Sequence, residues 1–567
     1  MSQLGNFVWS IADQLRGVYK PHQYGGVILP FTILRRLDCI LEPTRDQVRA
    51  LAKKHDGGAL DVQVRQKTGL RFYNTSGYDF TKLLAEPDQL RSNLIDYISR
   101  FSANIDVFER FKFENEIATL DEKGRLYLVV SKFAEVDLHP DSVPNADMGD
   151  LFEELIRKFA EASNEEAGEH YTPRDAIRLM VDLLFAGDTA ALLEPGVVRS
   201  IYDPTAGTGG MLSVAEERLL ERNPHARLAL YGQEINDQSY AICKSDMIAK
   251  GQDASNIQLA DTLADDRFAG RTFDFCMSNP PYGVDWKASQ ESVKAEVAQF
   301  PKGRFGHGLP SVSDGQMLFL THLAHKMRPA HEGGGRAGIV MNGSPLFNGA
   351  AESGPSEIRR WLLESDMVDA IVALPNNMFF NTGIATYIWI LDNAKGPERK
   401  GRVQLIDATA FWTKMRKNLG AKGREVGPDD RAKVVSVYDI FEDNEHSRIF
   451  NIANFGYWTI TVERPLVDED GKPVTDARGR SKPDAKLRDS ENIPFTYDGG
   501  IESYFKAEVL PHMPDAWIDE KKTKLGYEIP FARHFYEYSP PRPLAEIDAD
   551  LEAQVAKIMR LLREVEG

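Results

Sequence analysis

The chain has 567 residues, 42% of them hydrophobic and 27% charged, which is the composition of an ordinary globular protein with length for roughly three to four domains. Three widely separated cysteines, Cys39, Cys243 and Cys276, form no CxxC pair, which excludes a disulfide framework, argues against a zinc knuckle and suits a reducing, cytoplasmic compartment. A net charge of −17 argues against unaided tight binding to nucleic acid; no basic leader with an apolar stretch, and no apolar run near the ~20 residues of a membrane span, is present.

Residues 1–145 read as a helical N-terminal domain, because Phe7, Ile11, Leu15 and Val18 recur at helical spacing and the apolar residues of 27–37 show no strand alternation. Leu151, Leu155 and Phe159 suggest a further helix. Thr172-Pro173 opens another, with threonine as the N-cap and proline in the first turn. Short β-branched runs then alternate with helical stretches, the strand candidates being 197–202, 228–233, 257–260, 273–278, 337–341, 368–374 and 385–391. That alternation predicts an α/β core over 146–395: a doubly wound, mostly parallel sheet whose ligand lies outside the carboxyl ends of its strands. Residues 396–540 read as an irregular, partly basic extension. Between Lys395 and Lys433 eleven basic residues face five acids, either a solvated surface or a phosphate-contacting patch. The polar stretch 467–489 reads as an exposed loop, Pro514-Asp515 with Glu520-Lys521-Lys522 as plain surface, and no internal repeat is evident. Residues 541–567 read as a helix whose stripe of Ile547, Leu551, Ile558, Leu561 and Val565, interrupted by Gln554, suits core packing or a partner helix.

Two segments carry chemistry. Asp203-Pro-Thr-Ala-Gly-Thr-Gly-Gly210 follows a strand and precedes a helix beginning near Met211; such a turn lets the backbone approach a ligand, and no lysine follows as in a phosphate-cradling Walker A loop. The next strand ends at Glu234, where a carboxylate can accept hydrogen bonds from a ribose diol, and the one after leads to Asp261, placed to meet an adenine amino group. The second segment is Asn279-Pro-Pro-Tyr-Gly283, behind an apolar strand. The lone pair of an aromatic amine is delocalised into its ring. An asparagine carbonyl and a neighbouring main-chain carbonyl that accept its N–H bonds return electron density to nitrogen. Pro280 and Pro281 stiffen the turn and, lacking N–H groups, leave its carbonyls free, while Tyr282 can stack on an extruded base.

Asp203 to Gly210 resembles the cofactor motif of amino-group methyltransferases, and Asn279 to Tyr282 looks like their catalytic motif. Upstream, Gly168-Glu-His-Tyr-Thr-Pro-Arg174 is similar to the further cofactor motif that precedes the glycine turn in one circular order of the fold. With its helical flanks the chain resembles the modification subunit of type I restriction-modification systems. Asn342, the segment 373–380 and the segment 382–391 resemble later parts of that family. The resemblance implies transfer of a methyl group from S-adenosyl-L-methionine to N6 of a flipped adenine in double-stranded DNA. It assigns the cofactor to Glu169, His170, Tyr171, Thr172, Pro173, Arg174, Asp203, Thr205, Gly207, Thr208, Gly209, Glu234 and Asp261, and the target base to Asn279, Pro280, Pro281 and Tyr282, with no metal. Ala260 stands where the family pattern has glycine. The implied partners are a DNA-specificity subunit, a second copy of the chain and a restriction/translocase subunit. N4 of cytosine, stand-alone target recognition, protein glutamine and a non-catalytic scaffold are the alternative readings. The Gly-rich stretch 304–314 is read as a mobile loop near the substrate.

Overall fold

A computed structural model describes residues 10–20, 23–144, 147–148, 172–187, 189–249, 252–380, 383–470, 472–536 and 543–566. Phe7 and the helix read around Leu151, Leu155 and Phe159 lie outside them. The chain forms two compact units, Met1–Ile529 and Pro530–Gly567.

In the first unit the N-terminal residues fold mainly into helices; of the spacing Phe7, Ile11, Leu15 and Val18, Ile11 and Leu15 are helical and Val18 lies in the turn that follows. The run from 27 to 37 belongs to one helix, Tyr24–Leu41, buried almost all round, so its apolar residues need no single-faced pattern. Phe31 lies edge-on to Phe113 with ring centroids 4.7 Å apart and stacks on Phe133 at 5.3 Å. The same core takes in Ala241, Ile242 and Ile248 of the helix Asp237–Ala249, and Lys244 reaches Asp106 at 2.7 Å. The helical bundle is thereby seated on a helix that covers the sheet.

The main sheet contains β1 (Val198–Asp203), β2 (Arg227–Glu234), β3 (Ile257–Leu259), β4 (Phe275–Ser278), β5 (Arg336–Asn342), β6 (Val368–Ala373), β7 (Thr386–Asp392), β8 (Arg402–Asp407) and, after the hairpin β9 (Thr413–Leu419) and β10 (Lys422–Glu425), β11 (Ser447–Asn451). Their order is β11-β8-β6-β7-β5-β4-β1-β2-β3. β7 runs antiparallel between β5 and β6, and β11 antiparallel to β8; the other pairings are parallel. All seven strand candidates are present, each within two residues of its expected ends. Most are continuous apolar runs because helices cover both faces of a parallel sheet. From β1 the chain winds outward through β2 and β3, then returns to β4 on the other side of β1. This reversal opens a crevice at the carboxyl ends of β1 and β4.

The stretch 396–540 is not irregular. β8 and β11 extend the main sheet, and β12 (Gly456–Glu463) carries β13 (Asp489–Pro494), β14 (Trp517–Ile518) and β15 (Lys524–Tyr527) in a second, antiparallel sheet. Asp515 pairs with Arg464 and Lys522 with Glu463, so the Pro514-Asp515 and Glu520-Lys522 residues serve as surface ion pairs. The loop between β12 and β13 does contain a repeat, of eight residues taken three times: Arg464-Pro-Leu-Val-Asp-Glu-Asp-Gly, Lys472-Pro-Val-Thr-Asp-Ala-Arg-Gly and Arg480-Ser-Lys-Pro-Asp-Ala-Lys-Leu. The third residue of each octad bonds in a closed ring: Leu466 N–H donates to Lys482 O, Val474 to Leu466 and Lys482 to Val474, at 2.7–2.8 Å. The fifth residue, Asp468, Asp476 or Asp484, accepts from the backbone N–H two positions on. The period escapes inspection because only the turn-capping aspartate is identical in all three.

The second unit is dominated by the helix Leu544–Glu566, along which Leu544, Leu551, Val555 and Ile558 are each more than half exposed. Among the described residues, no helix is long and apolar enough to cross a membrane.

Candidate cofactor and target-base site

The glycine turn sits at the carboxyl end of β1. Asp203 is fully buried there, and its Oδ1 accepts from the backbone N–H of Thr205 (2.9 Å) and from the Thr205 hydroxyl (3.2 Å). Its Oδ2 is buried without a hydrogen-bond partner among the described residues. Desolvation pushes the carboxyl up to about 7, aided by the charge of Glu234 and opposed by the two Thr205 donors. Glu234, at the end of β2, accepts from Gly207 N–H and Asn236 N–H, both at 2.8 Å, which ties its carboxylate to the floor of the turn. A carboxylate oxygen can accept more than one donor, so this bonding is compatible with a ligand at the same group. Gly209 has φ +84°, and a Cβ there would lie 2.8 Å from the Cys243 sulfur, so only glycine lets the turn close on the helix behind it.

The Asn-Pro-Pro-Tyr turn leaves β4 alongside. Ile201 and Tyr202 pair with Phe275 and Cys276, and the Thr205 and Ser278 hydroxyls meet at 2.8 Å. The glycine bend and the proline turn are therefore neighbours on one rim of one sheet. Asn279 Nδ2 donates to Thr172 Oγ1 at 2.8 Å, and its Oδ1 accepts from the Tyr282 hydroxyl. Thr172 is thus not the helix cap the sequence suggests: the helix is Arg174–Ala186, Pro173 occupies the N-cap position, and the threonine hydroxyl is turned across to Asn279 instead. The Tyr282 ring stands edge-on to Phe379 at 6.3 Å, and burial raises its hydroxyl well above the ordinary range.

Between these segments lies a cavity of about 500 Å³, within the range of small-molecule sites. Its wall includes Thr172, Thr205, Gly207, Thr208, Glu234, Asp261, Asn279 and Pro281. Asp203, Gly209 and Pro280 are buried behind that wall, and Pro173, Arg174 and Tyr282 do not line it. Glu169, His170 and Tyr171 lie outside the described residues. Asp261 reaches the rim with Oδ1 on Leu263 N–H (2.9 Å) and Oδ2 on the Ser289 hydroxyl (2.5 Å). Its turn is fixed from below by Arg304, which donates to the carbonyls of Thr262 (2.6 Å) and Leu263 (3.1 Å), pairs with Glu296 at 2.8 Å and meets His322 at 3.0 Å. Burial and the adjacent Arg304 hold His322 well below its usual range, so it is neutral.

The Gly-rich stretch 304–314 is pinned, not a free loop. Arg304 is buried, Trp286 donates to Ser311 O and Val312 O, and a Cβ on Gly306 would lie 2.0 Å from Pro301 O. Its glycines allow close backbone approach. Sequence reasoning missed Ile235, Trp286, Ser289 and Phe319 of the cavity wall. Ile235 was discoverable, as the residue after a strand-end acid; the others are brought in by tertiary packing.

The sequence matches the family described as N-6 DNA Methylase over residues 144–457, and the HsdM N-terminal domain over residues 4–133. It is 25% identical over 468 residues to the Type I restriction enzyme MjaIX methylase subunit of Methanocaldococcus jannaschii, covering 79% of each chain. To the HindI methylase subunit of Haemophilus influenzae it is 27% identical over 300 residues, 53% of this chain and 61% of that protein. The fold resembles that of the type I restriction-modification system methyltransferase subunit from Streptococcus thermophilus, with a TM-score of 0.61 at 24% identity, over 79% of this chain and 95% of that one.

Proposed function

This chain belongs to the N-6 DNA methylase family, a family of S-adenosylmethionine-dependent methyltransferases, and we propose that the crevice at β1 and β4 transfers a methyl group to N6 of an adenine extruded from double-stranded DNA. The observation that carries the reading is the seating of Asn279 in the wall of the same cavity as Gly207, Glu234 and Asp261, with Thr205 and Ser278 bonded between them. In this reading the chain is the modification subunit of a type I restriction-modification complex in the cytoplasm. It works with a DNA-specificity subunit, a second copy of itself and a restriction/translocase subunit. The exposed apolar stripe of Leu544–Glu566 suits the partner contact. The division into a helical part (1–145), a core (146–395), an extension (396–540) and a terminal helix (541–567) belongs to the same proposal.

The residues present fit S-adenosylmethionine. Glu234 can accept from a ribose diol and Asp261 from an exocyclic amine, while Asp203, sealed behind the wall, holds the turn through Thr205. Glu169 to Arg174, Asp203, Thr205, Gly207, Thr208 and Gly209 complete the proposed set. Bound there, S-adenosylmethionine supplies an electrophilic methyl group, and the reaction yields S-adenosylhomocysteine, the methylamino base and a proton. The rest is done by the chain. Thr172 accepts the Asn279 Nδ2–H and so commits Oδ1 to face the base. The Tyr282 hydroxyl occupies Oδ1 and must give way to the amine, which frees the ring to stack. Pro280 and Pro281 hold the turn rigid, so the carbonyls need no reorganisation as positive charge builds on nitrogen.

Asn279→Ala should abolish methylation while leaving cofactor binding within about 2-fold, since among the described residues the Asn279 side chain bonds Thr172 and Tyr282 and no residue of the glycine turn. The test incubates the full chain and its co-purified partners with labelled cofactor and DNA, then digests the DNA to nucleosides. N6-methyladenine supports the reading; label in N4-methylcytosine or in protein glutamine would overturn it.

A further inference from the structure

The β9–β10 hairpin is a concentration of positive charge in a strongly acidic chain: Lys414, Arg416, Lys417, Lys422 and Arg424 stand against the single acid Glu425. One of the five is internal. Lys422 is buried, with its ammonium on both Asp175 oxygens (3.0 and 2.9 Å), on Met378 O and on Arg424 O. Arg424 is half-buried. Lys414, Arg416 and Lys417 are exposed and make no ion pair among the described residues. The register places Lys414 directly opposite Arg424, and like charges in that position repel. Arg424 is held there by the Trp412 ring, 4.0 Å beneath its guanidinium. The fold thus maintains mutually repelling cations that an anion would relieve.

The hairpin is also clamped to the rim that carries Asn279. Its turn hangs on the loop after β6, with Ala421 N–H donating to Phe380 O, Gly423 N–H to Asn377 O and Asn377 Nδ2 to Ala421 O. In that loop Phe379 meets the Tyr282 ring. Val426 N–H and Lys422 both bind Asp175, in the first turn of the helix that starts just after Thr172.

We propose that this hairpin grips the sugar-phosphate backbone of duplex DNA next to the extruded base, with Lys414, Arg416 and Lys417 touching phosphates and Arg424 on Trp412 as a fixed cation between them. This rests on the proposed DNA methyltransferase reading, and a binding assay separates the two because it requires no methyl transfer. The affinity of the full chain with its co-purified partners for a fluorescent duplex is measured by anisotropy from 25 to ~300 mM salt, for the wild type, for K414A/R416A/K417A, and for the charge-matched control K53A/K54A/K67A, whose lysines are exposed in the helical part. The hairpin variant should bind on the order of tenfold more weakly, and its slope of log affinity against log salt should fall by roughly 2–3, at about 0.9 for each phosphate no longer neutralised. Cofactor affinity and the control variant should match the wild type. The proposal is overturned if the hairpin variant keeps the wild-type slope, if the control loses as much, if the wild type does not bind the duplex at low salt, or if poly-glutamate is the ligand whose binding is abolished instead.

Discussion

Replacing Thr172 by valine removes one oxygen and almost no volume, which makes it the sharpest probe of the site. In the structure that oxygen accepts the Asn279 Nδ2–H at 2.8 Å, and with Tyr282 on Oδ1 it fixes which end of the amide faces the cavity. Without it a part-buried N–H is left unpaired, at a cost of about 1–3 kcal/mol, and the amide can turn its NH2 toward the base. If that energy is lost from the aligned state alone, the single-turnover rate of methyl transfer at saturating cofactor and DNA falls about 5- to 150-fold, at 1.36 kcal/mol per factor of ten. The loss of rate should exceed any loss of cofactor affinity seen by calorimetry, and Thr172→Ser, which keeps the oxygen, should stay within about 2-fold of wild type in both. A valine variant with the wild-type rate would refute the reasoning. So would one whose defect lay entirely in cofactor binding, because Thr172 would then serve only the cofactor, as the sequence motif alone suggests.

Asp203 sets a pH dependence. Burial raises its carboxyl to about 7, so the stability of the wild type relative to an Asp203→Asn variant should fall between pH 4 and pH 7 in denaturation curves; a difference that does not change with pH contradicts the assignment. The folded pKa lies above the unfolded one, so this group favours the fold at acid pH and the contribution is lost as pH rises through 7. Arg304→Gln should cost about 3 kcal/mol, because it strands Glu296 and two carbonyls of the Asp261 turn, and it should weaken cofactor binding as well; an unchanged denaturation midpoint would contradict the role given to Arg304.

The seven core strands could be read in advance because a mostly parallel sheet covered on both faces is built of largely apolar runs, and the Asp203–Gly210 and Asn279–Gly283 turns because their composition is local. β12 to β15 could not. β13 begins Asp489-Ser-Glu and is largely exposed, so its strand character comes from pairing with β12, not from its side chains. The roles of Thr172 and Arg304 were invisible for a related reason. Thr172 meets Asn279 across 107 positions, and a Thr-Pro pair reads locally as a helix cap. The glycines at 306 and 308 look flexible as letters, yet each marks a backbone approach too close for a Cβ.

The ring of three octads has a consequence for how the loop can vary. Asp484 N–H returns to Arg464 O, so the excursion leaves and re-enters the sheet at one place, and Val462 stays paired with Asp489 whatever lies between. Its size is quantised: dropping one or two residues strands a donor in the circle, whereas excising 465–487 whole and bridging the gap with a tight turn leaves the β12–β13 ladder its partners. The lobe is in that sense a detachable module, open to exchange without touching the rim that carries Asn279.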